Sequence, residues 1–261
     1  MISLQRIWAV YLRYFYLFFK LDHLCEMFYW PFIDIFLWGM TTVWIERYET
    51  EFPLLGLAVL SGLVLWQIMW RGNYEVTVNL LQEFWHRNLM NLFATPLKLS
   101  EWVLSVMIVG VSKIFVNVAF SALLVYALYL LNVFKIGWMF IPYAFSLALF
   151  GWSIGFICAG VIIYFGQRLQ SLAWMGAAIF APFSAVFYPI SAMPDWAQWI
   201  SYSLPTTYVF EGMRSYLTSG RISVYDLSMS FLLNFLFLFL SLLFFGFMFE
   251  KSRQKGLARL E

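Results

Sequence analysis

An all-α polytopic membrane protein is the fold class this sequence predicts, on three observations. Of its 261 residues, 63% are hydrophobic and 22% aromatic, and only 11% are charged; a water-soluble domain carries about a quarter charged residues. The apolar residues fall in runs long enough to cross a bilayer, which takes roughly 20 residues. The cations collect mainly between those runs and at the chain ends. A net charge of +2, with no basic run interleaved with polar residues outside the ends, speaks against a nucleic-acid partner.

The first element expected is a helix over residues 1–22. Arg6, Arg13 and Lys20 recur every seven residues and share one stripe, with Leu4, Tyr11 and Phe18 opposite and Trp8 and Phe15 nearby. This is the pattern of a helix lying in the membrane interface; the alternative is the cytoplasmic start of the first span. Six spans follow, at about 25–45, 53–72, 101–131, 138–165, 170–190 and 227–249. With both ends placed in the cytoplasm, eleven Lys and Arg residues lie inside, four outside, and Lys113 within a span. Positive charge favours the inner side, which orients the chain with both ends in the cytoplasm and a basic tail at 250–261.

Two loops carry more than a connection needs. Residues 73–100 are expected on the cytoplasmic side, with a short lateral helix over 79–95. Its apolar stripe would be Leu80, Leu81, Phe84, Leu89, Leu92 and Phe93, leaving Glu83, His86 and Arg87 exposed. Pro96 ends this helix, because proline lacks the helical N–H and restricts Thr95 before it. Ser100 is placed to cap the next helix, with Glu101 near its positive end. The other loop, 187–225, is too apolar for an ordinary exposed loop, yet Pro189, Pro194 and Pro205 cut it into pieces too short to span. It reads as a broken hairpin dipping into the outer leaflet, with Asp195 capping a short helix.

Asp34 and Lys113 are the notable intramembrane charges, and such groups face protein or water. Three roles remain open for them: a structural pair, a substrate cavity, or snorkelling. Cys25 and Cys158 make no metal-ligand spacing, and His23 and His86 are isolated. Aromatic residues crowd the span ends as interface belts do; some are also suited to line a route for sugars or planar drugs. No nucleophile–base, paired-carboxylate or P-loop constellation is present, so neither catalysis nor ATP binding is assigned to this chain.

The stretches "FWHRNLMNLFATPLKLSEW" and "AVFYPISAMPDWAQWISYSLPTTYVFEGMR", in this order on a six-span frame with a basic tail, resemble the permease subunits of ABC-2 type exporters. The resemblance implies a single transmembrane domain over 1–261, built as spans 1–3 (25–131), spans 4–6 (138–249) and their two loops. It implies a homodimer of permeases, two cytoplasmic ABC ATPase subunits holding ATP and Mg, and membrane lipids around them. The 79–95 helix would couple to the ATPase through Glu83, His86, Arg87, Thr95 and Pro96. Pro189, Pro194, Asp195 and Pro205 would belong to an outer gate. The cargo expected is amphipathic: a lipid, a lipid-linked glycan or a hydrophobic drug, with the Ala-Thr-Pro-Leu form closer to drug, lipid and nodulation-factor exporters than to capsule exporters. Arg87, Asn88 and Met90 depart from the Gly-Thr and Glu often found in the coupling segment. The competing reading is an ATP-independent transporter or channel using Asp34 and Lys113.

Overall fold

The computed structural model describes residues 2–48 and 55–256, and among them every regular element is helical. In chain order these are α1 (Leu4–Leu17), α2 (Leu21–Tyr48), α3 (Leu55–Trp85), α4 (Leu89–Ala94), α5 (Leu99–Tyr129), α6 (Phe140–Phe165), α7 (Leu172–Ala178), α8 (Asp195–Tyr202), α9 (Pro205–Ser219) and α10 (Val224–Gln254). A 3-10 segment, Val133–Met139, leads into α6. The expected start of the second span at Pro53, and Arg259 of the tail, lie outside the described residues.

Three helical stretches, Leu99–Tyr129, Val133–Phe165 and Val224–Gln254, have both the length and the composition to cross a membrane. They cover the third, fourth and sixth expected spans. α2 and α3, at 28 and 31 residues, have the length without the composition. Residues 170–190 do not form one helix. α7 has seven residues, a 3-10 turn follows at Ala181–Phe183, and Ala185 adopts φ 57°. Pro182 stands inside that turn, where its missing N–H and fixed φ prevent α7 from continuing.

α3 is the hub, packing closely on α2, α5, α6 and α7. Most of its residues are buried on all sides, including Arg71, Asn73, Glu75, Thr77, Asn79, Gln82 and Glu83. Those polar residues make 73–83 look like a solvated loop in the sequence. They are instead the second half of an unbroken helix that ends only at Trp85. The lateral helix expected over 79–95 is therefore two pieces, the end of α3 and the six-residue α4, hinged at Arg87, whose φ is 51°. The apolar stripe holds across the hinge: Leu80, Leu81, Phe84, Leu89 and Leu92 are buried, and Phe93 packs edge-on against Phe249 of α10 at 4.7 Å.

Helix–helix contact in a bilayer rests on close backbone approach and on hydrogen bonds between helices. Both occur around α6. Asn234 Nδ2 of α10 donates to Ser146 O and Oγ at 3.0 and 2.7 Å, and Ser252 Oγ donates to Ile163 O at 2.7 Å. On the other side α6 crosses α3 at Gly72 and Gly151, where a Cβ on Gly151 would stand 2.4 Å from Met69 O. Because the obstacle is backbone, no rotamer change relieves it. Gly151→Val is therefore expected to lower the melting temperature in detergent and the membrane level, at a cost of about 3 kcal/mol or more. Unchanged melting of that variant would mean that α3 and α6 do not meet at Gly151.

Candidate functional site

Glu26, Trp30 and Asp34 follow at intervals of four on α2 and so share one face. Leu63, Gln67, Trp70, Arg71 and Tyr74 of α3 are turned towards it, and α7 closes the side with Trp174 and Ala178. Between them lie two chambers. One, of about 240 Å³, is bounded by Asp34, Trp66 and Phe187; the other, of about 300 Å³, by Glu26, Arg71, Tyr74 and Trp174. Trp30, Gln67 and Trp70 line both chambers, which are therefore two parts of one groove. Its walls offer indole faces together with donors and acceptors.

The polar groups of the groove are held in place. Gln67 Nε2 donates to Asp34 Oδ2 at 3.0 Å. Glu26 accepts from the Tyr74 hydroxyl and from Trp174 Nε1, the latter at 3.2 Å. Arg71 lies 5.0 Å from the Tyr74 ring centroid, and its Nη1 is 3.4 Å from Glu75 Oε1. Below the groove, Lys113 Nζ of α5 pairs with Glu75 Oε2 at 2.6 Å. Lys113 thus has Glu75 as its partner, and Asp34 has Gln67; the Asp34–Lys113 pair that the spacing allows does not form. Glu75 is hidden in the sequence because residue 75 lies beyond the second span expected at about 53–72. The signal available was a carboxylate four residues after Arg71.

A second polar cluster sits where α3 ends and α5 begins. Glu83 is 1% exposed and accepts from Arg13 Nη2 at 2.8 Å and from Asn88 Nδ2 at 2.7 Å. It is an internal brace rather than the exposed contact the sequence suggests. The carboxylate of Glu101 is fully buried and accepts from Ser3 N at 2.8 Å, Lys98 N at 2.9 Å and Arg6 Nη2 at 2.9 Å. Helix α5 starts at Leu99 after Lys98, so Ser100 lies inside it and the backbone N–H of Lys98 is satisfied by Glu101. Arg6 also donates to the carbonyl of Pro96. Two of the three cations in the α1 stripe therefore bind protein, and the face of α1 buried against the bundle is Ile7, Val10 and Tyr14. Burial and the neighbouring Glu83 carboxylate push the Tyr14 phenol well above its ordinary pKa, and Trp102 Nε1 donates to it at 2.9 Å. His86, Arg87, Met90, Thr95 and Pro96 remain on the outer surface of this junction. Thr95 Oγ1 donates to Leu92 O at 2.6 Å, which folds the chain back after α4.

In the 187–225 segment each proline marks a start. Pro189 precedes the 3-10 turn Ile190–Ala192, Pro194 precedes α8, and Pro205 is the first residue of α9. Asp195 is the first residue of α8 and makes no side-chain cap bond; Pro194 holds the cap position. The segment is tied by residues that were not singled out from the sequence. Glu211 Oε1 accepts from Ile190 N and from Arg214 Nη2, both at 2.9 Å, and Arg214 also donates to Ala185 O at 2.6 Å. Thr207 Oγ1 reaches Ser201 O at 2.7 Å.

Glu75 neutralises two buried cations at once, whereas Lys113 serves only Glu75. Removing one partner of a buried pair leaves the other uncompensated, at about 3–5 kcal/mol. Glu75→Gln is expected to cost that much or more, and Lys113→Met less, since Arg71 still answers Glu75. Thermal unfolding of both variants in one detergent would reveal the order; equal losses would mean that Arg71 contributes nothing to Glu75.

Among curated proteins none matches this chain. A family model described as ABC-2 type transporter matches residues 4–218, from the first residue of α1 to the last turn of α9, and so includes the groove, the junction and the tied segment. The chain belongs to the ABC-2 type transporter family and is the membrane-embedded transport component of an ABC-type transporter rather than a catalyst in its own right.

Proposed function

We propose that this permease is the membrane subunit of an ATP-driven exporter. Two copies pair, each engages one cytoplasmic ABC ATPase that holds ATP and Mg, and an amphipathic substrate leaves by way of the groove between α2, α3 and α7. In this reading the protein sits in the bacterial inner membrane with both ends in the cytoplasm. The tied segment around Pro189, Pro194, Asp195 and Pro205 forms the outer gate.

The observation that carries this reading is the continuity of α3. One unbroken helix of 31 residues, about 46 Å long, joins the exposed turn at His86 and Arg87 to the groove at Trp70, Gln67 and Leu63. A push on the end of α3 beside His86 reaches the groove along one continuous helix. The lining suits a cargo with both apolar and hydrogen-bonding surface, because four indoles share it with Asp34, Gln67, Glu26 and Arg71. The cargo class is an amphipath of the kind found in lipids, lipid-linked glycans and hydrophobic drugs. An ATP-independent relay between Asp34 and Lys113 loses its geometric basis, since Lys113 is bound to Glu75.

Arg87 is exposed, and the reading makes it part of the ATPase contact. Arg87→Glu is expected to leave the membrane level unchanged while lowering co-purification of the cognate ATPase about tenfold, or about 1.4 kcal/mol. Pro96→Gly should keep docking but loosen the link between hydrolysis and transport, because it frees the backbone between α4 and α5. Both variants, together with the mass of the intact complex, can be measured in the same preparation. Normal docking and transport in both would sink the coupling role, and a transport-competent complex containing one permease would sink the pairing.

A further inference from the structure

On the opposite side of α3 from the aromatic groove, α5 and α6 each pack closely on α3 and barely touch one another. The gap between them is a cleft of about 640 Å³, within the size range of ligand sites, roughly 300–1,000 Å³. Val111 and Phe115 of α5 and Ile141 and Phe145 of α6 form its walls and are exposed; Ile68 and Trp152 form its buried floor. Ala119 and Ala144 line it and leave it open, because their side chains are too short to cross it. Almost no polar surface lines the cleft, so water gains nothing there.

Two features of the cleft say what fills it. Both walls belong to stretches with the length and composition of membrane spans, so the medium at the open side is hydrocarbon. From Ile141 to Trp152 the cleft runs for about 16 Å along α6, close to half the bilayer's hydrocarbon thickness of about 30 Å. Its far end is the 3-10 segment Val133–Met139, which contributes Phe134 to the lining and carries Lys135 and Trp138 exposed beside it. An ammonium and an indole at one level are what a span presents to the headgroup region. Lys135 has no ion-pair partner among the described residues.

We propose that the α5–α6 cleft is a phospholipid site: it takes one acyl chain from the leaflet that borders residues 133–139, with the lipid phosphate against Lys135. This site is separate from the substrate groove and does not depend on how the exporter reading fares. Its effect is to wedge α5 and α6 apart with a chain that completes the packing around α3, so that bound lipid stiffens the bundle.

The test uses the intact wild-type protein in nanodiscs of phosphatidylethanolamine and phosphatidylglycerol. A trace of the phosphatidylglycerol carries a photoreactive diazirine midway along one acyl chain. After irradiation, adducts are mapped by peptide mass spectrometry. Labelling of residues 111–119 and 140–148 is expected to exceed that of the exposed α10 face at 232–247 by about tenfold, equivalent to about 1.4 kcal/mol. Lys135→Glu should lower labelling by the phosphatidylglycerol probe but not by an uncharged diacylglycerol with the same diazirine. Ala144→Phe should suppress both. Even labelling of the cleft and the α10 face by the wild-type protein would overturn the site. Equal phosphatidylglycerol labelling of wild type and Lys135→Glu would overturn the headgroup contact.

Discussion

Everything in this molecule depends on keeping the polar side of α3 satisfied out of water. A charge carried into hydrocarbon is stable only when paired and hydrogen-bonded. α3 carries Arg71, Glu75 and Glu83 within one turn-by-turn column, and each finds a partner supplied by another helix or by its own next turn. Lys113 of α5 answers Glu75, Arg13 of α1 answers Glu83, and the side-chain amide of Asn73 donates to Ala173 O of α7 at 2.9 Å. These requirements dictate which helices surround α3, and hence where the gaps between them fall. The aromatic groove and the α5–α6 cleft are the two gaps left on its opposite sides.

Much of this was legible in the residue pattern, and the misreadings along α3 share one cause. Long apolar runs such as 101–131 and 227–249 announce α5 and α10, because nothing but a bilayer accommodates them. The helix stop at Thr95–Pro96 is equally plain, since proline acts locally. Residues 73–83 misled because a polar side chain looks alike in sequence whether it meets water or a buried partner. The difference lies in Lys113, Arg13 and Ala173, which are 38 to 100 positions away. Glu83 shows the same ambiguity: its place in a loop-like stretch suggested exposure, while Arg13 and Asn88 hold it inside. The groove is visible in the sequence only as aromatic residues crowding the span ends, because the indoles that line it come from three separate helices.

The proposed exporter mechanism needs stiffness along α3 and freedom at its ends, and the packing provides both. At its middle, the glycine crossing with α6 admits no slack. At its end, the left-handed Arg87 gives α4 a different direction from α3, so α4 can act as a lever on a rigid rod. The salt bridges in this region are of two kinds. The Glu75 pairs are buried on both sides, whereas Arg13 and Arg6 are partly open to solvent, so the Arg13–Glu83 and Arg6–Glu101 links are the ones that salt weakens.

Helix α1 has one further consequence. Its cations clasp both sides of the α4 turn, Arg13 on Glu83 before it and Arg6 on Pro96 and Glu101 after it. Along one flank Trp8, Tyr11, Phe15 and Phe19 form an aromatic ridge, with Trp8–Tyr11 centroids 4.8 Å apart; Trp8 and Phe19 are exposed, while the Tyr11 hydroxyl lies 3.3 Å from Ser112 Oγ of α5. A ridge of this kind seeks a fixed depth at the membrane–water boundary. In the proposed exporter, depth and turn angle are then a single mechanical coordinate and membrane thickness becomes an input to the transport cycle: a thinner bilayer would tip the ridge and strain the clasp even when nothing is bound.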